Sequence, residues 1–181
     1  MTEALEQGEP FKRLFFALEC EASQRRAIAR WRNELGTGIG RPVPSANFHL
    51  TLMFLGAVPN AQVAGICAAA AAVPVPGKSV TVALDRLEVW RPARALVLTP
   101  TKTPAVLRQL VYALQQAMLP LGFSETPREY RAHLTLARHY QGPVPEAMVA
   151  AEFLLRARQF TLFESRKGRY WSLAQWPLLT E

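Results

Sequence analysis

The sequence predicts an α+β fold: two pseudo-symmetric lobes of mainly antiparallel sheet, with outer helices, around a central cleft. Three observations predict it. Strand-like and helix-like segments interleave along the chain, with no clean βαβ dinucleotide-binding signature among them. The order strand, helix, strand occurs twice. The tetrapeptide His-Leu-Thr-Leu closes both series, at residues 49–52 and again at 133–136.

Each element has a local reason. The apolar run at residues 13–18 (RLFFAL) reads as a buried strand. Residues 21–35 follow as a helix, with Ala22, Ile28, Trp31 and Leu35 at helical spacing and Glu21 or Ser23 in the N-cap region. The GTGIG segment at 36–40 ends that helix, and Pro42 and Pro44 prevent its resumption. Residues 47–55 form the next strand, and 60–72 an Ala-rich helix stopped by Pro74 and Pro76. Residues 79–90 alternate in places and read as one strand with room for a bulge; 91–95 are a turn and 96–99 a strand. Pro104 opens the longest helix, which runs to about Leu119 with Leu107, Leu110, Val111, Leu114 and Met118 on one face. A strand at 133–137 follows, then an antiparallel pair at 160–164 and 170–175 turned at Lys167 and Gly168. Four main helices are expected in all.

Length and composition narrow the class. A chain of 181 residues suits one domain, and residues 11–178 read as a single bilobal unit behind a flexible, acidic stretch at 1–10. With 50% hydrophobic and 19% charged residues, disorder is excluded. No apolar run reaches membrane-spanning length, and the first ten residues are not a secretory signal. Cys20 and Cys67 cannot make a disulfide framework. A cytoplasmic protein with no membrane association is therefore expected. The net charge of +7 comes from 17 Arg and 4 Lys against 14 acids. Arg favours flat, bidentate contacts to phosphate, so a polyanion is a candidate partner.

The chemistry lies in the repeated tetrapeptide. Two of the three His occupy it. Side chains alternate along a strand, so His49 and Thr51 share one face while Leu50 and Leu52 share the other. The same holds for His133 and Thr135 against Leu134 and Leu136. The Leu pairs belong against helices, and the polar pairs belong where they can be satisfied. Two lobes related by a two-fold axis would bring both polar pairs to one cleft. A neutral imidazole there can take a proton from a nucleophile while a protonated one gives a proton to a leaving oxygen. The Thr hydroxyls can donate to oxygens whose charge grows in the transition state. An in-line displacement at phosphorus needs an acid and a base on opposite sides, and it needs no metal or other cofactor.

The paired motifs resemble those of the 2H phosphoesterases, named for two His-x-Thr/Ser-x motifs. Within them the chain is similar to the RNA 2′,3′-cyclic phosphodiesterases, also described as 2′-5′ RNA ligases. The likeness runs from Arg13-Leu14-Phe15-Phe16-Ala17-Leu18, through Gly40-Arg41-Pro42-Val43 and the first motif with its Phe54-Leu55-Gly56 flank. It continues through Pro120-Leu121-Gly122-Phe123 and the second motif to Trp176-Pro177-Leu178. Ala132 departs from the pattern, since many members have Pro before the second His; the chemistry should not depend on it. The resemblance implies a water-filled cleft and hydrolysis of an RNA or nucleotide 2′,3′-cyclic phosphate to the 2′-phosphate, with His133 as base and His49 as acid. The two motifs are too alike for sequence to choose between these roles. The reverse reaction would be 2′-5′ ligation.

Arg138 matches the family's Arg after the second motif. Five residues past His133, it falls on the wrong face under strict alternation and can reach a phosphate only if the strand ends or bulges. Arg131 has the right parity for the phosphate. Tyr130, Phe16 and Phe48 are candidate base-stacking rings, with Phe16 and Phe48 better suited to the core. His139 has no counterpart in the first half and reads as loop. No metal-ligand spacing is present. The rivals are a phosphodiesterase acting on 2′-5′ oligonucleotides or small cyclic phosphates, and a non-catalytic RNA-binding module. A monomer with no obligate protein partner is expected, because the two halves already form the cleft.

Overall fold

The computed structural model describes residues 10–124 and 129–180. The expected flexible stretch at 1–10 therefore lies, apart from Pro10, outside the described residues. In chain order the elements are β1 (Phe11–Glu19), α1 (Ala22–Asn33), β2 (Arg41–Pro42), β3 (His49–Pro59), α2 (Val63–Ala71), β4 (Val80–Leu84), β5 (Arg86–Trp90), β6 (Ala95–Thr99), α3 (Ala105–Met118), β7 (Leu134–Arg138), β8 (Phe153–Ala157), β9 (Gln159–Arg166) and β10 (Arg169–Pro177).

Two four-stranded sheets carry the fold. One has the order β10-β9-β1-β3 and the other β2-β7-β6-β5. All their named pairings are antiparallel. The duplication is visible in them: β9-β1-β3 in one sheet matches β5-β6-β7 in the other. Both His-x-Thr strands pair with the strand that opens their own series, β3 with β1 and β7 with β6. The sheets do not divide the chain into halves: β2, from the first half, pairs with β7, while β9 and β10, from the second, extend the sheet of β1. Pro42 is tolerated there because β2 is an edge strand.

The helices tie the lobes together. α1 follows β1 of the first sheet, yet its Arg32 donates to the carbonyl of Leu136 on β7 of the second. α3 follows β6 and packs against β3. The apolar stripe expected on α3 is buried as predicted: Leu107, Leu110, Val111, Leu114 and Met118 all face the core. One contiguous core runs between the lobes, with Phe16, Leu50, Leu96, Leu134 and Phe160 among its fully buried members.

Several expectations are corrected. The described residues hold three α-helices, not four. Residues 79–90 are not one bulged strand: β4 leaves to pair with β8, and β5 joins β6. β8 was not legible, because its apolar run is only Phe153-Leu154-Leu155 before Arg156, and the outward-facing Leu154 breaks the apolar–polar alternation of a strand. Glu21 is the α1 N-cap, but its side chain makes no capping bond. The β9–β10 turn is where it was expected, and Lys167 and Gly168 both take positive φ, 52° and 73°. That pair of signs marks the tight hairpin turn whose twist matches its strands. Among the described residues, no helix is long and apolar enough to cross a membrane.

Candidate active site

The two His-x-Thr strands face each other across a cleft of about 210 Å³, lined by His49, Thr51, His133, Thr135 and Arg138 among others. Alternation puts each Leu pair in the core: Leu50, Leu52, Leu134 and Leu136 are at most 1% exposed.

The two imidazoles are held alike. His49 Nδ1 lies 2.7 Å from the carbonyl of Asn47, and His133 Nδ1 lies 3.0 Å from that of Arg131. Each carbonyl belongs to the residue two before the His. A carbonyl can only accept, so Nδ1 carries the proton in both neutral rings and Nε2 is left for proton transfer. The hydroxyl of Thr51 lies 2.8 Å from His49 Nε2, where it donates to the neutral ring. His133 has no such bond to Thr135 among the described residues. Aromatic rings enclose both imidazoles. Phe15 and Tyr170 lie 4.9 and 5.0 Å from His49, and Trp90 lies 4.3 Å from His133.

This enclosure sets the protonation states. Burial lowers His49 to about 4 from 6.5; the charges of His133 and Arg138 act in the same direction, and the bond to Asn47 opposes them. His133 is lowered too, first by burial and then by Arg131 and Arg138, against its bond to the Arg131 carbonyl. Both rings are therefore neutral at pH 7 in the empty cleft. A bound phosphate anion would reverse part of this by favouring an imidazolium. Among the described residues no carboxylate or thiol lines the cleft, so the imidazoles are its groups for proton transfer near neutrality.

Arg138 lines the cleft, and a bulge puts it there. In the β6–β7 ladder Leu96 pairs with Ala137 and Val97 with Thr135, so Leu136 is the extra residue. One inserted residue reverses the parity beyond it, and Arg138 joins the face of Thr135. The first sheet repeats the device. Phe16 pairs with Met53 and Ala17 with Thr51, so Leu52 is extra. Phe54, five residues after His49, therefore stands where Arg138 stands in the second sheet, and it also lines the cleft. One wall thus presents an Arg, and the other an aromatic ring that is 59% exposed.

Arg131 is a correction: it does not line the cleft. Its guanidinium lies 4.4 Å from the Trp90 ring centroid and 3.7 Å from the Glu88 carboxylate, which also accepts from Thr99. The residue lies just ahead of β7, where strand parity does not govern its direction. Tyr130 is also outside the lining; its hydroxyl donates to the Thr51 carbonyl at 2.7 Å and links the two motifs. Phe16 and Phe48 are core, 0% and 3% exposed. His139 is exposed, at a left-handed φ of 58°, as its reading as loop implied.

Arg13, Phe15, Phe54, Trp90 and Tyr170 line the cleft without having been singled out as site residues. Two of them had a signal. Arg13 shares strand parity with Phe15, and Phe54 has the same offset from His49 as Arg138 has from His133. Trp90 and Tyr170 had none, because they arrive from strands far from the motifs in sequence.

Comparison with known proteins shows the family and the fold. The family model described as LigT-like phosphoesterase matches residues 18–97, which include the first motif. An RNA 2′,3′-cyclic phosphodiesterase of Escherichia coli (strain K12) is 31% identical over 94% of this chain and 98% of its own. One of Geobacillus stearothermophilus is 29% identical over 91% of this chain, which spans 57% of that protein. The crystal structure of E. coli LigT complexed with 3′-AMP superposes with a TM-score of 0.81 at 30% identity, covering 94% of this chain and 99% of that one. An identity above 30% with a relative covered almost end to end, on a shared fold, places this chain in the LigT-like phosphoesterase family of 2H enzymes.

Proposed function

We propose that this protein hydrolyses RNA 2′,3′-cyclic phosphate ends to 2′-phosphates by paired His acid–base catalysis. One observation carries the reading: two His-x-Thr pairs from opposite sheets line one cleft together with Arg138, each imidazole tied through Nδ1 to a backbone carbonyl. Relatives similar to this chain bear the name of this activity.

In the proposed reaction the cyclic phosphate sits between the imidazoles. His133 Nε2 takes a proton from water as the water oxygen bonds to phosphorus. The bond from phosphorus to O3′ breaks, and His49 Nε2 gives its proton to O3′. The product is a 2′-phosphate with a free 3′-hydroxyl. Arg138, Thr51 and Thr135 hold the non-bridging oxygens, whose charge grows in the transition state. Because both rings are neutral in the empty cleft, the acid gains its proton as the anionic substrate binds. The two proton transfers need no metal ion. With the 5′-hydroxyl of a second strand in place of water, His133 takes that hydroxyl's proton as its oxygen bonds to phosphorus, the bond to O3′ breaks with His49 protonating it, and a 2′-5′ link results. Residues 11–178 act as one bilobal domain, monomeric and cytoplasmic in this reading.

The test is product mapping with a nucleoside 2′,3′-cyclic phosphate in the presence of a chelator. The expected product is the nucleoside 2′-phosphate. Formation of the 3′-phosphate alone, or a requirement for a divalent ion, would overturn the mechanism. Inertness of every phosphodiester alongside retained RNA binding would leave a binding module.

A further inference from the structure

A second concavity opens beside the cleft. It is lined by Arg41, Asn47, Lys167, Arg169, Tyr170 and Trp171, among others. Tyr170 lines both hollows, so the two adjoin at its ring. Three features of this groove point to a ligand. It is basic: Arg41, Lys167 and Arg169 line it, Arg166 stands beside it, and none of the four forms a salt bridge among the described residues. No acidic side chain lines it among those residues. It has a ring for stacking, since Trp171 is 43% exposed and the Arg166 guanidinium lies 4.9 Å from its centroid. It is also built into the active site. The Asn47 side chain donates to the Gly168 carbonyl at 3.0 Å, and the Asn47 carbonyl is the acceptor that orients His49.

Unpaired cations beside an aromatic platform suit single-stranded nucleic acid, whose phosphates they neutralise and whose bases stack irrespective of sequence. A strand that ends in a 2′,3′-cyclic phosphate has its remaining nucleotides on the 5′ side only. With the terminal phosphate between the imidazoles, those nucleotides need a path out of the cleft. We infer that the groove between the β9–β10 hairpin and Arg41 is the track for the single-stranded RNA immediately 5′ of the reacting nucleotide, making oligoribonucleotides the preferred substrates. The inference rests on the proposed hydrolysis for its terminal anchor and goes beyond it in naming what the enzyme selects.

The experiment compares a nucleoside 2′,3′-cyclic phosphate with lengthening oligoribonucleotides that bear the same end. For the wild-type chain, kcat/KM should rise with the first added nucleotides. In the combined variant Arg41→Gln, Arg169→Gln and Trp171→Ser the rise should shrink about tenfold or more, a stacking contact being of that size, while the mononucleotide rate stays unchanged. The fall of log kcat/KM with log salt should also become shallower for the oligonucleotide by about 0.7 for each lost phosphate contact. No oligonucleotide advantage in the wild type, or equal losses on both substrates, would overturn the track and leave the hydrolysis standing. If no cyclic phosphate is turned over, the proposed reaction fails instead. Fluorescence anisotropy with a labelled single-stranded oligoribonucleotide then tests the track alone: binding at least about tenfold weaker in the variant supports it, and equal binding overturns it.

Discussion

The guanidinium of Arg32 donates to the backbone carbonyl of Leu136 at 3.1 Å, joining the helix of the first repeat to the bulge of the second. Arg32 is 6% exposed, donates also to the Val43 carbonyl, and lies over the Phe48 ring. Leu136 is the residue whose insertion turns Arg138 into the cleft. Replacing Arg32 by Met strands the buried Val43 carbonyl, while the Leu136 carbonyl keeps the Val43 N–H at 2.9 Å, at a cost of about 1–3 kcal/mol. Denaturant unfolding should show that loss. The kcat/KM should fall with it as Arg138 loses its placement, and Arg32→Lys should recover part of both. Full activity in Arg32→Met would show that the bulge holds without this clamp.

His49→Ala and His133→Ala should each lower kcat by at least about 10²–10⁴-fold, the usual worth of a proton transfer, while far-UV circular dichroism stays native. The double variant should fall well short of the product of the two single losses, because the imidazoles act as a pair. Losses that multiply would separate their roles.

The two Arg near the second motif should behave differently. Arg138→Ala removes a cation from the cleft and should lower kcat/KM by about tenfold or more, since a charge-assisted bond to phosphate is worth roughly 1.5–3 kcal/mol. Arg131→Ala should act weakly, through the packing of Trp90 on His133. Steady-state kinetics on one cyclic phosphate decides this, and the reverse ranking would contradict the bulged geometry.

The lowered imidazoles make a kinetic forecast. Productive binding of the anion needs one ring protonated and the other neutral, and protonation of the empty site is held below pH 6.5. The kcat/KM profile, which reports the free enzyme, should therefore peak below pH 6.5 and fall toward neutrality. The kcat profile should lie at higher pH, because the bound phosphate favours the imidazolium. Coincident profiles would mean that the substrate does not retune the pair.

The same shift links stability to pH. The unfolded chain takes a proton on His49 near pH 6.5, whereas the folded one resists until about 4. Between those values the unfolded state binds more protons, so stability falls as pH drops from about 6.5 to 4. The contribution is a few kcal/mol at most, from the relation of about 1.4 kcal/mol per pKa unit. Thermal melts across that window should show the decline, and His49→Gln should flatten part of it.

Much of this protein was legible in its sequence because the information was local. The His-Leu-Thr-Leu repeat announced two equivalent strands, and strand alternation alone divided each into a core face and a polar face. The apolar stripe of the helix at Ala105–Met118 and the Lys167-Gly168 turn follow from spacing and backbone preference in the same way. Tertiary structure decided what depends on register between distant segments. Inserting Leu136 and Leu52 into their ladders reverses strand parity and brings Arg138 and Phe54 to the cleft, and no periodicity within one strand records an insertion relative to its neighbour. Packing likewise drew Arg131 onto Trp90 and Glu88, and brought Tyr170 to His49 from the far end of the chain. The sequence by itself determined which side chains could do acid–base chemistry; the folded ladders decided which of the surrounding cations and rings stand beside them.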